Sequence, residues 1–219
     1  MLQDIHSFVN RAARLALLSL AAASLSFADA ATAPRTVMVF GDSLAAAYNL
    51  STDQGWVHIL GERIARANLP WIVVNASISG ETTAGGLRRL AEDLKRHKPS
   101  VVVIELGAND ALRGQPVAGM RSNLEEMIRL ARQAHAEPVL VGLMIPPNYG
   151  IEYAAQFHDM YASIAARKKT PLVPFLLEGI ADKPDLFQAD QLHPTAQAQA
   201  RIADNVWSTL GPLLGSRPR

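Results

Sequence analysis

Side chains that can carry out chemistry together fall in four short, separated stretches of this chain. Gly41-Asp42-Ser43-Leu44 supplies a hydroxyl, and Asn75-Ala76-Ser77-Ile78-Ser79-Gly80-Glu81-Thr82 supplies a glycine. Gly107-Ala108-Asn109-Asp110 supplies a carboxamide. Asp190-Gln191-Leu192-His193-Pro194 supplies a carboxylate and an imidazole. Acyl transfer to a serine needs this set. The hydroxyl attacks a carbonyl carbon while a neutral imidazole takes its proton. A carboxylate holds the imidazole in one tautomer, and N–H donors receive the developing oxyanion. Asp190 lies close enough in sequence to His193 for its carboxylate to reach the near ring nitrogen. Gly80 has no Cβ, so an oxygen can approach its N–H closely. Asn109 offers a neutral donor that keeps its proton at working pH.

Positioning these groups falls to an alternation of strands and helices. Apolar, β-branched runs occur at Thr36–Phe40, Trp71–Asn75, Val101–Leu106, Pro138–Leu143 and, more weakly, Pro171–Phe175. Continuous runs of this kind fit strands covered on both faces, as in a parallel sheet. Helical spacing lies between them. Trp56, Leu60, Ile64 and Ala67 share a face, as do Leu87, Leu90, Ala91 and Leu94. Met120, Leu124, Met127, Ile128 and Ala131 form a third face, with Pro116 placed to open the helix. Tyr153, Phe157, Met160, Tyr161 and Ile164 form a fourth. Pro194 is placed to open a last helix carrying Ile202, Val206, Trp207 and Leu210, and Gly215–Arg219 reads as a frayed tail. The pattern predicts an α/β domain, a three-layer α/β/α sandwich on a parallel sheet of about five strands with right-handed crossovers. Such sheets place their chemistry beyond the carboxyl ends of the strands. Three of the four stretches sit there, and the fourth precedes the last helix.

The four stretches, in this order, resemble the blocks of the SGNH, or GDSL, hydrolase superfamily. Asn75–Gly80, Asn109–Gly114 and Pro146–Gly150 are further similar to its bacterial periplasmic thioesterases, which are also lysophospholipases and arylesterases. The likeness runs from about Thr36 to Leu210. The resemblance implies a flavodoxin-like fold with Ser43 as nucleophile, His193 as general base and then acid, and Asp190 orienting it. It implies an oxyanion hole made by the backbone N–H groups of Ser43 and Gly80 and the side chain of Asn109. It also implies that the Ala111-Leu112-Arg113-Gly114 loop moves when an acyl chain binds. No Gly-x-Ser-x-Gly surrounds Ser43, and the acid lies three residues before the histidine. Both features set the chain apart from ordinary α/β-hydrolases. The apolar segment Met144-Ile145-Pro146-Pro147-Asn148-Tyr149 suits an acyl or aryl group, which adds Leu112, Met144, Ile145, Pro146 and Tyr149 as candidate substrate contacts.

The expected activity is an exported esterase or thioesterase for short to medium acyl chains, with a carbohydrate O-acetyl esterase as alternative. A catalytically idle ligand-binding protein is the non-enzymatic alternative. A nucleotide-binding module on the same fold is disfavoured, because no Gly-x-Gly-x-x-Gly or phosphate-binding lysine motif follows the first strand. Lys plus Arg number 21 and Asp plus Glu 20, a balance unlike that of a nucleic-acid binder. With no cysteine and no His-Glu-x-x-His spacing, neither a thiolate nor a metal is expected, and no cofactor. Arg11 and Arg14, the apolar Leu15–Phe27 and the small residues of Ala28-Asp29-Ala30 read as a secretory signal over residues 1–30, cleaved after Ala30. That apolar stretch is too short to span a bilayer, so residues 31–219 are expected to form one periplasmic or secreted domain, monomeric and without stable membrane insertion. Asp42 reads as structural, accepting backbone N–H groups in its turn. Arg88 and Arg89 with Glu92 and Asp93 read as a solvated face.

Overall fold

Five apolar runs form strands without polar alternation, because helices cover both faces of the sheet they build. The computed structural model describes residues 33–215. The expected signal and its cleavage after Ala30 lie outside the described residues, as do positions 216–219. The strands are β1 (Arg35–Gly41), β2 (Trp71–Asn75), β3 (Val101–Glu105), β4 (Glu137–Val141) and β5 (Leu172–Val173). All pairs are parallel, in the order β2-β1-β3-β4-β5. Central strands carry the core: Val37–Phe40 of β1 and every residue of β3 are buried. At the edge, β2 leaves Ile72 half exposed.

The helices are α1 (Trp56–Arg66), α2 (Thr83–His97), α3 (Ala108–Leu112), α4 (Val117–Gln133), α5 (Ile151–Lys168) and α6 (Ala196–Gly215). α1 packs against α6, while α4 lies between α2 and α5. The expected apolar faces point inward on α4 and α5, so the Met120-Leu124-Met127 stripe is core, and on α1 Trp56, Leu60 and Ile64 do so while Ala67 falls past the helix end and is exposed. On α2 the buried residues are Thr83, Gly86, Leu90 and Leu94, and Ala91 faces solvent. On α6, Ile202, Val206 and Leu210 are buried and Trp207 is partly so.

Prolines account for most boundary differences. Pro171 and Pro174 flank β5 and limit it to two residues, since proline cannot donate to a ladder. Pro138 sits inside β4 without disrupting it. Leu140 and Gly142 donate toward β5, to the carbonyls of Pro171 and Val173. By alternation, the N–H that Pro138 lacks would face the same side, before β5 begins. Pro116 precedes α4 as its cap rather than occupying the first turn. Pro194 likewise stands outside α6. It bridges Phe187, and Thr195 donates its N–H to the Leu186 carbonyl, so the helix starts only at Ala196. α3 is a helix where the sequence reads as loop, and only Arg113 and Gly114 follow it as turn residues. Gly215, expected in the frayed tail, is the last residue of α6.

This strand order reverses direction at β1. The chain leaves β1 for β2 on one side and then returns to β3 on the other, which opens a crevice between the carboxyl ends of β1 and β3. Gly107, buried just beyond β3, has a φ of +128°. A Cβ there would lie 2.4 Å from Oη of Tyr161, whose hydroxyl donates to the Leu106 carbonyl at 3.0 Å. Gly107→Ala is therefore expected to lower the unfolding free energy by about 2 kcal/mol or more, from backbone strain and overpacking together. A urea midpoint equal to that of wild type would contradict this packing.

Candidate active site

Ser43 leaves β1 in a tight turn built by its neighbours. The Asp42 side chain accepts the Leu44 N–H at 3.0 Å, and the Ala46 N–H donates to the Asp42 carbonyl at 2.9 Å. The Asn75 amide, part of an apparent glycosylation sequon, donates into the same turn at the Ala45 carbonyl. Trp56, fully buried, fixes it from below through its indole N–H on the Leu44 carbonyl.

His193 comes from the loop before α6. That loop is organised by Asp190, whose Oδ1 accepts the backbone N–H of Leu192 at 2.9 Å and of His193 at 3.0 Å. Its Oδ2 lies 2.7 Å from His193 Nδ1. Partial desolvation raises the Asp190 carboxyl, but the two backbone donors and the imidazole outweigh it and hold it at about 2. An ionised carboxylate only accepts, so Nδ1 carries the proton and the Nε2 lone pair is free. Nε2 lies 2.9 Å from Ser43 Oγ. Gln188 ties the two loops together, donating to the Tyr48 carbonyl at 3.0 Å and the Pro194 carbonyl at 3.1 Å. The Tyr48 ring lies against the imidazole, with centroids 4.3 Å apart.

Facing this pair are the expected oxyanion donors. Asn109 sits in the first turn of α3, where it lines the cleft beside Ser43 and Gly80. Its Nδ2 donates to Asp42 Oδ2 at 3.0 Å. Among the described residues, neither the Ser43 nor the Gly80 backbone N–H donates to another group. The Gly80 loop is braced by Arg89, which reaches the Glu81 carboxylate, the Ala76 carbonyl and the Asp93 carboxylate. Its guanidinium also lies over the Phe40 ring. Arg89 thus departs from the solvated face expected of it, because its partners come from the loop and not from its own helix alone.

A cleft of about 560 Å³ opens from these groups. Leu112, Met144, Ile145 and Pro146 line it, as expected, together with Phe175, Leu177 and Phe187. Tyr149 does not. It belongs to a short 3-10 turn, Pro147–Tyr149, that carries it past the rim. Phe175 was hidden in the sequence as an apparent strand residue; the early end of β5 frees it for the cleft.

Over residues 39–201 the chain matches the family described as GDSL-like Lipase/Acylhydrolase. The chain belongs to this family. It is 50% identical over 182 residues to Esterase TesA of Pseudomonas aeruginosa, spanning 83% of this chain and 90% of that one. It is 39% identical over 184 residues to Thioesterase 1/protease 1/lysophospholipase L1 of Escherichia coli, spanning 84% and 87%. The crystal structure of the psychrotrophic esterase EstA from Pseudoalteromonas sp., inhibited by monoethylphosphonate, superposes with a TM-score of 0.79. It has 40% identity and covers 83% of this chain and 100% of that one.

In this GDSL-like site two carboxyl groups stand out by burial. Glu105, at the end of β3, accepts the Asp42 N–H on Oε2 at 3.2 Å, while its Oε1 has no hydrogen-bond partner among the described residues. Gly41 makes room for it, since a Cβ there would lie 2.4 Å from Glu105 Oε2. Burial, reinforced by the charge on Asp42, pushes Glu105 well above the ordinary carboxylate range. Burial also raises Asp42 to about 6, opposed by the Leu44 N–H and the Asn109 amide, which favour its charged form. A raised acid keeps its proton in the folded chain over a pH range where the unfolded chain has lost it. Stability then declines as pH rises through that range. Glu105→Gln has no such proton to lose. As pH rises above the ordinary carboxylate range, its thermal midpoint should fall less steeply than that of wild type. Parallel profiles for the two proteins would contradict a neutral Glu105.

Proposed function

We propose that the protein is an exported serine esterase that hydrolyses carboxylic esters and thioesters of short to medium acyl chains. The observation that carries this reading is the 2.9 Å contact between His193 Nε2 and Ser43 Oγ, with Asp190 behind the imidazole, at one end of an apolar cleft. In the reading, Ser43 Oγ adds to the acyl carbonyl carbon as its proton passes to Nε2. The carbonyl π electrons move onto oxygen, which the N–H groups of Ser43, Gly80 and Asn109 receive. Collapse expels the alcohol or thiol, which takes the proton from His193 and leaves an acyl-Ser43 ester. Water then attacks by the same route, releasing the acid and restoring the serine.

The lining supports an acyl chain over a sugar. Leu112, Ile145, Phe175 and Phe187 present carbon to the substrate, and apolar side chains extend the cleft away from Ser43 and His193. The names of the relatives, an esterase and a thioesterase that is also called a lysophospholipase, agree with this choice. Export rests on the charge, apolar run and small residues of positions 1–30. Among the described residues, no helix is long and apolar enough to cross a membrane.

Purified protein is expected to release p-nitrophenol from short acyl esters and to be labelled by a fluorophosphonate at Ser43. Ser43→Ala should abolish both. Asn109→Ala should lower kcat by about 10²–10³. Folded protein that turns over neither acyl esters nor acyl-CoA would remove the proposal, and full activity in Asn109→Ala would remove that donor from the mechanism.

A further inference from the structure

Asp42 makes a contact that its turn does not require. Its Oδ1 accepts the Leu44 N–H at 3.0 Å, which is enough to shape the turn after β1. Its Oδ2 accepts instead from Asn109, a residue 67 positions away on the far side of the crevice. The carboxylate is itself fixed. It is fully buried, its own N–H donates to Glu105 Oε2, and the N–H of the preceding Gly41 donates to Ser77 Oγ at 3.0 Å.

We propose that Asp42 is the positioning residue for Asn109, holding its amide in the one flip state that turns an N–H and not a carbonyl toward the developing oxyanion. The proposal rests on the reading of Asn109 as an oxyanion donor. A primary amide has two faces of nearly equal shape and opposite chemistry: NH2 donates and C=O accepts. A flipped Asn109 would set its carbonyl against the Asp42 carboxylate, oxygen against oxygen, and leave no donor at its present position for the substrate. An ionised carboxylate accepts only, so it selects the NH2 side. One of the two N–H bonds is then held by Oδ2 and the other is left for the cleft. Orientation is set before substrate arrives, which is what an electrostatic site needs in order to avoid reorganising during the reaction. The same carboxylate shapes the turn that carries the Ser43 N–H, so two of the three donors are aligned from one group.

Asp42→Asn tests this with little change in shape. The variant keeps an oxygen for the Leu44 N–H but places an NH2 against the NH2 of Asn109, which favours the flipped amide. The expected result is a fall in kcat of about 100-fold with KM within about threefold of wild type, the signature of a contact used in the transition state. In an Asn109→Ala background, Asp42→Asn should lower kcat by less than about threefold further, because the variant keeps the Leu44 contact and the Asn109 contact it alters is already gone. Multiplying effects, or wild-type kcat in Asp42→Asn, overturns the proposal and leaves the esterase reading intact. Wild-type kcat in Asn109→Ala alone overturns the oxyanion assignment, and this proposal with it. Should Asp42→Asn fail to fold, wild-type protein carries the test. In 15N-labelled protein the Asn109 side-chain pair, identified by its loss in Asn109→Ala, should show one proton protected from solvent exchange. Two protons exchanging alike at the rate of a free amide overturn the proposal.

Discussion

The contact between His193 Nε2 and Ser43 Oγ joins residues 150 positions apart, and the rest of the architecture exists to make it geometrically unavoidable. Neither residue lies in a regular element. Ser43 is in the turn after β1 and His193 is in the loop before α6. Flexible loops would place them only fleetingly, since each free dihedral costs entropy to fix. Here the Ser43 turn is held by Asp42, Asn75 and Trp56, the His193 loop by Asp190, and the two are joined by Gln188. The parallel sheet provides the scaffold, because every strand ends at the same edge and the reversal at β1 leaves that edge open.

The charges of the site are distributed with equal economy. Asp190 is held ionised by donors, and its negative charge favours an imidazole that has just taken a proton. Asp42 and its neighbour Glu105 are both fully buried, and burial favours the neutral form of Glu105. One ionised carboxyl beside one neutral one avoids two adjacent charges beneath the cleft proposed to receive a third on the substrate oxygen.

Much of this was legible in the sequence, for physical reasons. Strands covered on both faces need unbroken apolar runs, so β1, β3 and β4 could be read directly. Ser43, Asn109, Asp190 and His193 were legible only together: a serine after a strand can simply cap a helix, but a hydroxyl, an amide, a carboxylate and an imidazole at these four places make up one chemistry. What could not be read depended on neighbours distant along the chain. Glu105 reads only as one more residue of the run Val101–Leu106 until Gly41 is seen to make space for it across β1 and β3. Arg89 has the spacing of a surface helix residue, and only the approach of Ala76 and Glu81 draws it inward. Tyr149 shared the apolar character of its segment, yet the turn at Pro147 carried it away. α3 is shorter than any periodic signal, and its cohesion comes from Asp110 accepting both the N–H and the hydroxyl of Thr83.

Asp190 and His193 belong to one short loop, and the carboxylate grips the histidine by its backbone as well as by its ring. Acid and base therefore travel together as a cartridge. A shift of that segment changes how far the imidazole stands from the serine while the tautomer it carries stays the same. Serine triads whose acid and histidine sit on separate strands have no such independence, since any relative slip alters both distances at once. In this chain, the reach of the imidazole and its tautomer are set by different contacts.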